Sequence, residues 1–388
     1  MMWLGIMLHV SLNHIEGESP APWRDSQTTL IADFLIAFIH SFRMPVFFVL
    51  AGFFVAMLLS QRGYGGMLKH RLRRLALPFA VFWPVIFPAT VLLVMVYVHQ
   101  MVRGTFGLDA SLVPKPPNGP LLNTLHLWFL YLLMWFCVFT GGGAWLAKLM
   151  PALPIHFLTN ALNSLALRWW GVFVLALPLA FVGASYRAGL VTASGSFMPP
   201  LNEWVQSGMF FLVGLALYQR RDASLTHFGK HCWAYGAVGL ITFLAWITIY
   251  EATRSNPTLL PQPQWIMALA YGCTSWLWSF ALIGGFFRYL PRQNAGLNYL
   301  ADSSYWAYLV HMLGTIGFGA LMFNWPLGAL TKMGLNMIAT TVFCLLSYHL
   351  MVRNRFIGRL LNGKQLQSRY LDVLDKTRSL PKSQASAD

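Results

Sequence analysis

Residues 31–60 read IADFLIAFIHSFRMPVFFVLAGFFVAMLLS, a stretch that is almost entirely apolar or small. An α-helix needs about 20 mostly apolar residues to cross the hydrocarbon core of a bilayer. The stretch is long enough and therefore predicts a transmembrane helix. It also carries two basic groups, His40 and Arg43, that a lipid environment rarely accepts.

The whole chain shares this apolar character. Of its 388 residues, 57% are hydrophobic and 10% are charged, and the mean hydropathy is +0.55. A soluble domain carries about a quarter charged residues. The composition therefore excludes a water-soluble globular enzyme and a disordered chain. It predicts an all-α, polytopic transmembrane helical bundle.

Apolar stretches separated by short polar segments predict about ten spans. The predicted spans are residues 1–14, 31–60, 75–101, 121–147, 169–186, 204–218, 232–250, 265–287, 304–323 and 327–352. They form one membrane domain of residues 1–352. Residues 353–388 are expected to be a cytoplasmic tail that is first basic, then polar, and partly disordered.

The net charge of +15 is explained by the orientation of these spans. The connections on one side, together with the tail, hold 20 of the 27 Lys and Arg residues, and the opposite connections hold 5. Cytoplasmic loops are enriched in Lys and Arg, so both termini are predicted to be cytoplasmic. The charge then favours contact with anionic membrane lipids, and we expect no nucleic-acid partner.

Several ionisable side chains fall inside the predicted spans. At a rise of about 1.5 Å per residue, His40 and Arg43 lie about 13 and 18 Å inside the second span. His9, His126 and His311 lie about 8–10 Å inside the first, fourth and ninth spans. Such groups are functional candidates, and a permanently charged arginine needs a partner or an aqueous cavity. For the histidines, a hydrogen bond that merely bridges two helices is the alternative.

A second candidate is the basic cluster KHRLRR at residues 69–74, which lies in the connection after the second span. Arg71, Arg73 and Arg74 are suited to clamping the phosphates of an anionic cytosolic ligand. Alternatively, the cluster only orients the span and contacts lipid headgroups.

The sequence contains no P-loop, GxSxG nucleophile, dinucleotide fingerprint or metal-ligand spacing, so no metal or permanently bound cofactor is expected.

Several segments of the chain resemble the acyltransferase family 3 of integral membrane enzymes, especially its glucan-modifying branch, which attaches succinyl groups. HSFRMPVFF with HLWFL, in that order, is fairly specific for the family. The matching segments are HSFRMPVFF at 40–48, AGFF at 51–54, RLRR at 71–74 with Pro78, HLWFL at 126–130, YWAYLVH at 305–311 and LNGK at 361–364.

The resemblance implies an enzyme of the bacterial inner membrane that uses acyl-CoA as a co-substrate and a carbohydrate as the acceptor. His9 takes the position of the catalytic histidine in the family's R-X10-H motif. The arginine of that motif would precede Met1, and the first span is short, so the span is expected to be truncated. The other expected site residues are His40 and Arg43 in catalysis, Arg71, Arg73 and Arg74 in acyl-CoA binding, and His126, Trp128 and His311 in support.

The implied chemistry is transfer of a succinyl or acetyl group from acyl-CoA to a carbohydrate hydroxyl. As a neutral imidazole, His9 would accept the hydroxyl proton, and Arg43 or His40 would orient it or stabilise the oxyanion. A transporter or flippase is the main alternative, because intramembrane His and Arg also line substrate paths. It predicts internal repeats, and none is evident. A third possibility is a passive membrane scaffold, in which Arg43 would have no role.

Overall fold

The computed structural model describes residues 2–114, 122–147, 153–186, 188–256, 258–290 and 294–362. Over these ranges the chain is helical and contains no β-strand, which confirms the all-α prediction. Residues 363–388 of the predicted tail lie outside the described ranges. The α-helices are α1 (Leu4–Ser11), α2 (Leu30–Arg103), α3 (Trp128–Leu146), α4 (Leu153–Leu167), α5 (Gly171–Gly183), α6 (Leu201–Leu217), α7 (Arg221–Ser255), α8 (Pro263–Tyr289), α9 (Ala295–Met322), α10 (Ala329–Ser347) and α11 (Phe356–Asn362).

Within the described residues, six helical segments are long and apolar enough to cross a membrane. The count becomes seven if α4 and α5, which are bent by 111°, form one broken span. Two of the six, Leu30–Arg103 and Leu201–Ser255, have 74 and 55 residues. Each of these includes two of the predicted spans. The structure thus has membrane-spanning helices, and the number ten and the side of the termini stay predictions.

A break inside α2 separates the second and third predicted spans. Gly63 has φ 67° and ψ 177°, a conformation that is essentially restricted to glycine. Helix resumes directly after it, so the prediction that the basic cluster lies in a loop was wrong. The cluster is helical because Met67 and Leu75, which flank it, are buried on one helix face while Lys and Arg tolerate a helix well.

A second difference from the sequence prediction is α4, which lies in what was expected to be a polar connection. Its segment is too short to span a bilayer and contains several polar residues, so it resembled a loop. A side-chain hydrogen bond links this helix to α6. Asn163 is fully buried and donates to the carbonyl oxygen of Ala216 at 2.8 Å. This contact fixes α4 against α6.

Helices α2 and α6 approach each other closely at a pair of glycines. A Cβ atom on Gly52 would lie 2.1 Å from the carbonyl oxygen of Phe211, and one on Gly214 would lie 2.0 Å from that of Val49. Small residues permit such close contact between membrane helices. The contact fixes the helix that carries His40 and Arg43.

A buried ion pair ties the segment between α1 and α2 to α10. The Nζ atom of Lys332 lies 3.0 and 3.1 Å from the two carboxylate oxygens of Asp25, and it donates to the carbonyl oxygen of Phe323 at 2.7 Å. Both charged side chains are 1% exposed. This pair joins residues 307 positions apart, and nothing in the sequence indicated it.

Candidate active site

One cavity brings together six of the predicted site residues. It has a volume of about 270 Å³ and lies between α1, α2, α3 and α9. Two connecting segments also line it: the segment between α5 and α6, and the segment between α1 and α2, which contributes Pro20. The predicted residues that line it are His9, His40, Arg43, His126, Trp128 and His311.

Three histidines form the centre of the site. The ring of His311 lies 5.0 Å from that of His9 and 5.2 Å from that of His126, measured between centroids. His9 comes from α1, His126 from the turn before α3, and His311 from the middle of α9. The fold therefore places three imidazoles within reach of one ligand.

Backbone carbonyls determine which nitrogen of His311 carries the proton. Its Nδ1 atom lies 3.0 and 2.9 Å from the carbonyl oxygens of Ala307 and Tyr308, which can only accept hydrogen bonds. Nδ1 is therefore the donor in the neutral ring. The Nε2 atom is left as an acceptor, and it is buried without a partner among the described residues.

His126 is fixed in a similar way. Its Nε2 atom donates to the carbonyl oxygen of Leu309 at 3.1 Å, and its own carbonyl oxygen accepts a 2.7 Å hydrogen bond from the Tyr308 hydroxyl. Its Nδ1 atom has no partner in the described part of the chain. His126 thus bridges helices, as the alternative interpretation stated, and still offers a free nitrogen close to the cavity.

Arg43 reaches from α2 to the backbone of α1. A Cβ atom on Gly5 would lie 2.8 Å from Nη1 of Arg43 and 3.4 Å from Nε2 of His311. Both groups therefore occupy the space that the missing side chain of Gly5 leaves open. Within the described ranges no carboxylate lies at ion-pair distance from Arg43, and its Nε atom is buried without a partner. The guanidinium is a cation available to a ligand in the cavity.

The predicted phosphate-binding arginines lie away from this cavity and do not line it. Arg73 is exposed, while Arg71 and Arg74 are half-buried. The Nε atom of Arg71 is buried without a described partner. Arg74 donates to the carbonyl oxygen of Leu361 on α11, and its own carbonyl oxygen accepts a 2.8 Å hydrogen bond from the hydroxyl of Tyr305 on α9.

Sequence reasoning missed four polar groups at this site. Tyr308 lines the cavity, and the segment YWAYLVH already contained it three positions before His311. Tyr271 on α8 shares a 3.2 Å hydrogen bond with Nδ1 of His40. Glu203 and Gln206, on α6, line a small chamber beside His40. The last three carried no sequence signal, because they are single polar residues at or inside predicted spans.

The chain is similar to known proteins over nearly its whole length. A family model described as "Acyltransferase domain" matches residues 1–349. The chain is 26% identical to the "Glucans biosynthesis protein C" of Escherichia coli O6:K15:H31 (strain 536 / UPEC), over 96% of this chain and 94% of that protein. The protein of the same name from Salmonella schwarzengrund (strain CVM19633) is also 26% identical, over 94% and 92%. No solved structure matches the chain significantly.

Proposed function

We propose that this chain, which belongs to the acyltransferase family that matches residues 1–349, moves a succinyl or acetyl group from cytosolic acyl-CoA to a carbohydrate hydroxyl. The family match confirms the resemblance found in the sequence and makes the protein a membrane acyltransferase rather than a transporter or scaffold. The acceptor we propose is an envelope carbohydrate such as a periplasmic glucan, and the location is the bacterial inner membrane. The names of the relatives support the choice of a glucan as the acceptor.

The observation that carries the proposal is the cavity in which three imidazoles lie beside a guanidinium that has no carboxylate partner among the described residues. Acyl transfer to a hydroxyl needs a base for the hydroxyl proton and a group that stabilises the oxyanion. Both kinds of group converge here, from helices far apart in sequence. A scaffold would need neither.

His9 is the base that the arrangement supports best. Its Nδ1 atom is buried without a described partner, as is Nε2 of His311, whose tautomer the backbone fixes. A small rotation would let Nδ1–H of His9 donate to that nitrogen. Nε2 of His9 would then be free to accept a proton. In other enzymes, too, a second group orients the catalytic histidine by a hydrogen bond to its other ring nitrogen.

The reaction then runs in two steps. The acceptor oxygen bonds to the thioester carbon while its proton moves to His9, and the carbonyl oxygen becomes an oxyanion beside Arg43. The carbon–sulfur bond then breaks, and the leaving thiolate takes the proton back from His9 to give free CoA. The oxyanion re-forms the carbonyl as the carbon–sulfur bond breaks, so the products are the ester and free CoA. No proton is gained or lost overall, and a succinyl group takes its carboxylate with it to the acceptor.

The donor is proposed to enter along α2. Its nucleotide phosphates would pair with Arg71, Arg73 and Arg74, since guanidinium groups bind phosphate bidentately. Tyr305 links this cluster to α9, six residues before His311, which is about 9 Å along the helix. The acyl arm would extend over that distance into the cavity.

The test is release of CoA thiol and acylation of a soluble glucan by purified protein, with acetyl-CoA and succinyl-CoA compared. His9→Ala is expected to lower transfer about 10²–10⁴-fold, the usual contribution of a placed base. His156→Ala is the matched control, because His156 is exposed on α4. Undiminished transfer by folded His9→Ala protein would contradict the role of this residue.

A further inference from the structure

A small chamber adjoins the cavity on the far side of His40. It has a volume of about 40 Å³ and shares His40 and Trp128 with the cavity. Its other polar lining groups are Glu203, Gln206 and Ser207 of α6 and Tyr271 of α8. Space of this size holds on the order of two or three water molecules, so it is large enough for a hydroxyl-bearing arm and too small for a sugar ring.

The chamber and the cavity differ in charge. Among the described residues, Glu203 is the only acid that lines the chamber, and it is 4% exposed, whereas the cavity is lined by the cation Arg43 and by no described acid. A carboxylate repels the anionic parts of an acyl-CoA but accepts hydrogen bonds from neutral hydroxyls. The chamber is therefore suited to the acceptor rather than to the donor.

The hydrogen-bonding capacity of the chamber is only partly used. One carboxylate oxygen of Glu203 accepts a 2.7 Å hydrogen bond from the backbone N–H of Ser194, and a carboxylate has about four lone-pair positions. The side-chain amide of Gln206, which offers both donors and an acceptor, has no hydrogen-bond partner among the described residues. A few placed polar groups in an apolar pocket usually fix the orientation of a ligand.

From these observations we infer that the chamber is the recognition site for a hydroxyl-bearing arm of the acceptor sugar. The sugar ring would lie in the larger cavity beside Trp128, with Glu203 and Gln206 binding the arm and a second hydroxyl facing His9. This inference rests on the proposed function. It adds residues that determine which acceptor is used and in which orientation it is acylated.

The experiment measures the KM for a glucan oligosaccharide and for acyl-CoA separately, in purified Gln206→Leu and Glu203→Gln proteins. Gln206→Leu removes no hydrogen bond to a described residue, and Glu203→Gln keeps an oxygen for Ser194. Each is expected to raise the KM for the oligosaccharide about tenfold, the usual effect of losing one good hydrogen bond to a ligand. The KM for acyl-CoA should not change.

Asn202→Ala is the matched control, because Asn202 lies on the same turn of α6 but outside the chamber, donating to Ser185. An unchanged KM for the oligosaccharide in both chamber variants would overturn the inference while leaving the proposed function intact. A parallel rise in the KM for acyl-CoA would also overturn it. If the wild-type protein releases no CoA in response to any carbohydrate, the proposed function itself fails, and this inference fails with it.

Discussion

At the residue scale, the site depends on which atoms are left without partners. Nε2 of His311, Nδ1 of His9 and Nε of Arg43 are all buried without a described partner. Buried polar atoms are normally hydrogen-bonded, and each exception calls for an explanation. A hydrogen bond from Nδ1–H of His9 to Nε2 of His311 accounts for two of them, and a substrate oxygen beside Arg43 accounts for the third.

Arg43 is expected to act on the oxyanion. Arg43→Gln should lower kcat about 10²–10³-fold, the usual cost of removing one such donor, with little change in the KM for acyl-CoA. Arg43→Lys should recover part of the rate, because it keeps the charge but loses the planar geometry. Steady-state kinetics with both substrates saturating measures this effect.

Arg254→Gln is the control for Arg43, since Arg254 is an exposed residue at the end of α7. A kcat for Arg43→Gln equal to that of the wild type would show that Arg43 only holds α1 and α2 together. Thermal unfolding of the same samples reports that structural role separately.

At the scale of elements, α2 connects the two ends of the proposed donor path. One half carries His40 and Arg43 into the cavity, and the half after Gly63 carries the three arginines. The close contact of Gly52 with α6 fixes the first half, and the hydrogen bond from Tyr305 fixes the second half to α9. A movement of either half of α2 would therefore change the distance between the basic cluster and the histidines.

The phosphate role predicts a specific kinetic change. Arg73→Ala should raise the KM for acyl-CoA about tenfold, since a hydrogen bond to a charged group contributes about 1.5–3 kcal/mol. The kcat and the KM for the acceptor should stay the same, because Arg73 does not line the cavity. Initial rates over a range of acyl-CoA concentrations measure it.

Arg359→Ala provides the comparison, as Arg359 is another exposed arginine, on α11, in the segment predicted to be cytoplasmic. If Arg73→Ala leaves the KM for acyl-CoA unchanged, the basic cluster only orients the span and contacts lipid headgroups. That is the alternative the sequence left open.

At the scale of the whole molecule, the cavity is lined in part by connecting segments that distant contacts hold in place. The segment that contains Asp25 also supplies Pro20 to the cavity lining. Asn13, just after α1, accepts from Trp23 and donates to the Thr315 carbonyl on α9. Together with the ion pair to Lys332, these bonds hold the segment across the end of the cavity.

Loss of the ion pair should destabilise the protein. Lys332→Met leaves the carboxylate of Asp25 buried without its cation, and breaking a buried pair in this way costs about 3–5 kcal/mol. The double variant Lys332→Met with Asp25→Asn removes the unpaired charge and should recover part of the loss. Thermal unfolding in detergent measures both effects.

Lys230→Met, a change at an exposed position on α7, should leave the unfolding temperature nearly unaltered. Equal unfolding temperatures for wild type and Lys332→Met would show that the pair contributes little. In that case the hydrogen bonds of Asn13 would suffice to hold the segment.

The sequence by itself determined the membrane class and the helical content and indicated the candidate histidines and arginine, because apolar length and ionisable side chains are local properties. Its motifs also determined the family. Only the tertiary structure decided that His9, His126 and His311 meet, that Asp25 pairs with Lys332, and that Tyr305 joins the basic cluster to α9. These contacts join residues up to 307 positions apart, and they depend on how helices pack. Local hydrophobic patterns do not specify that packing.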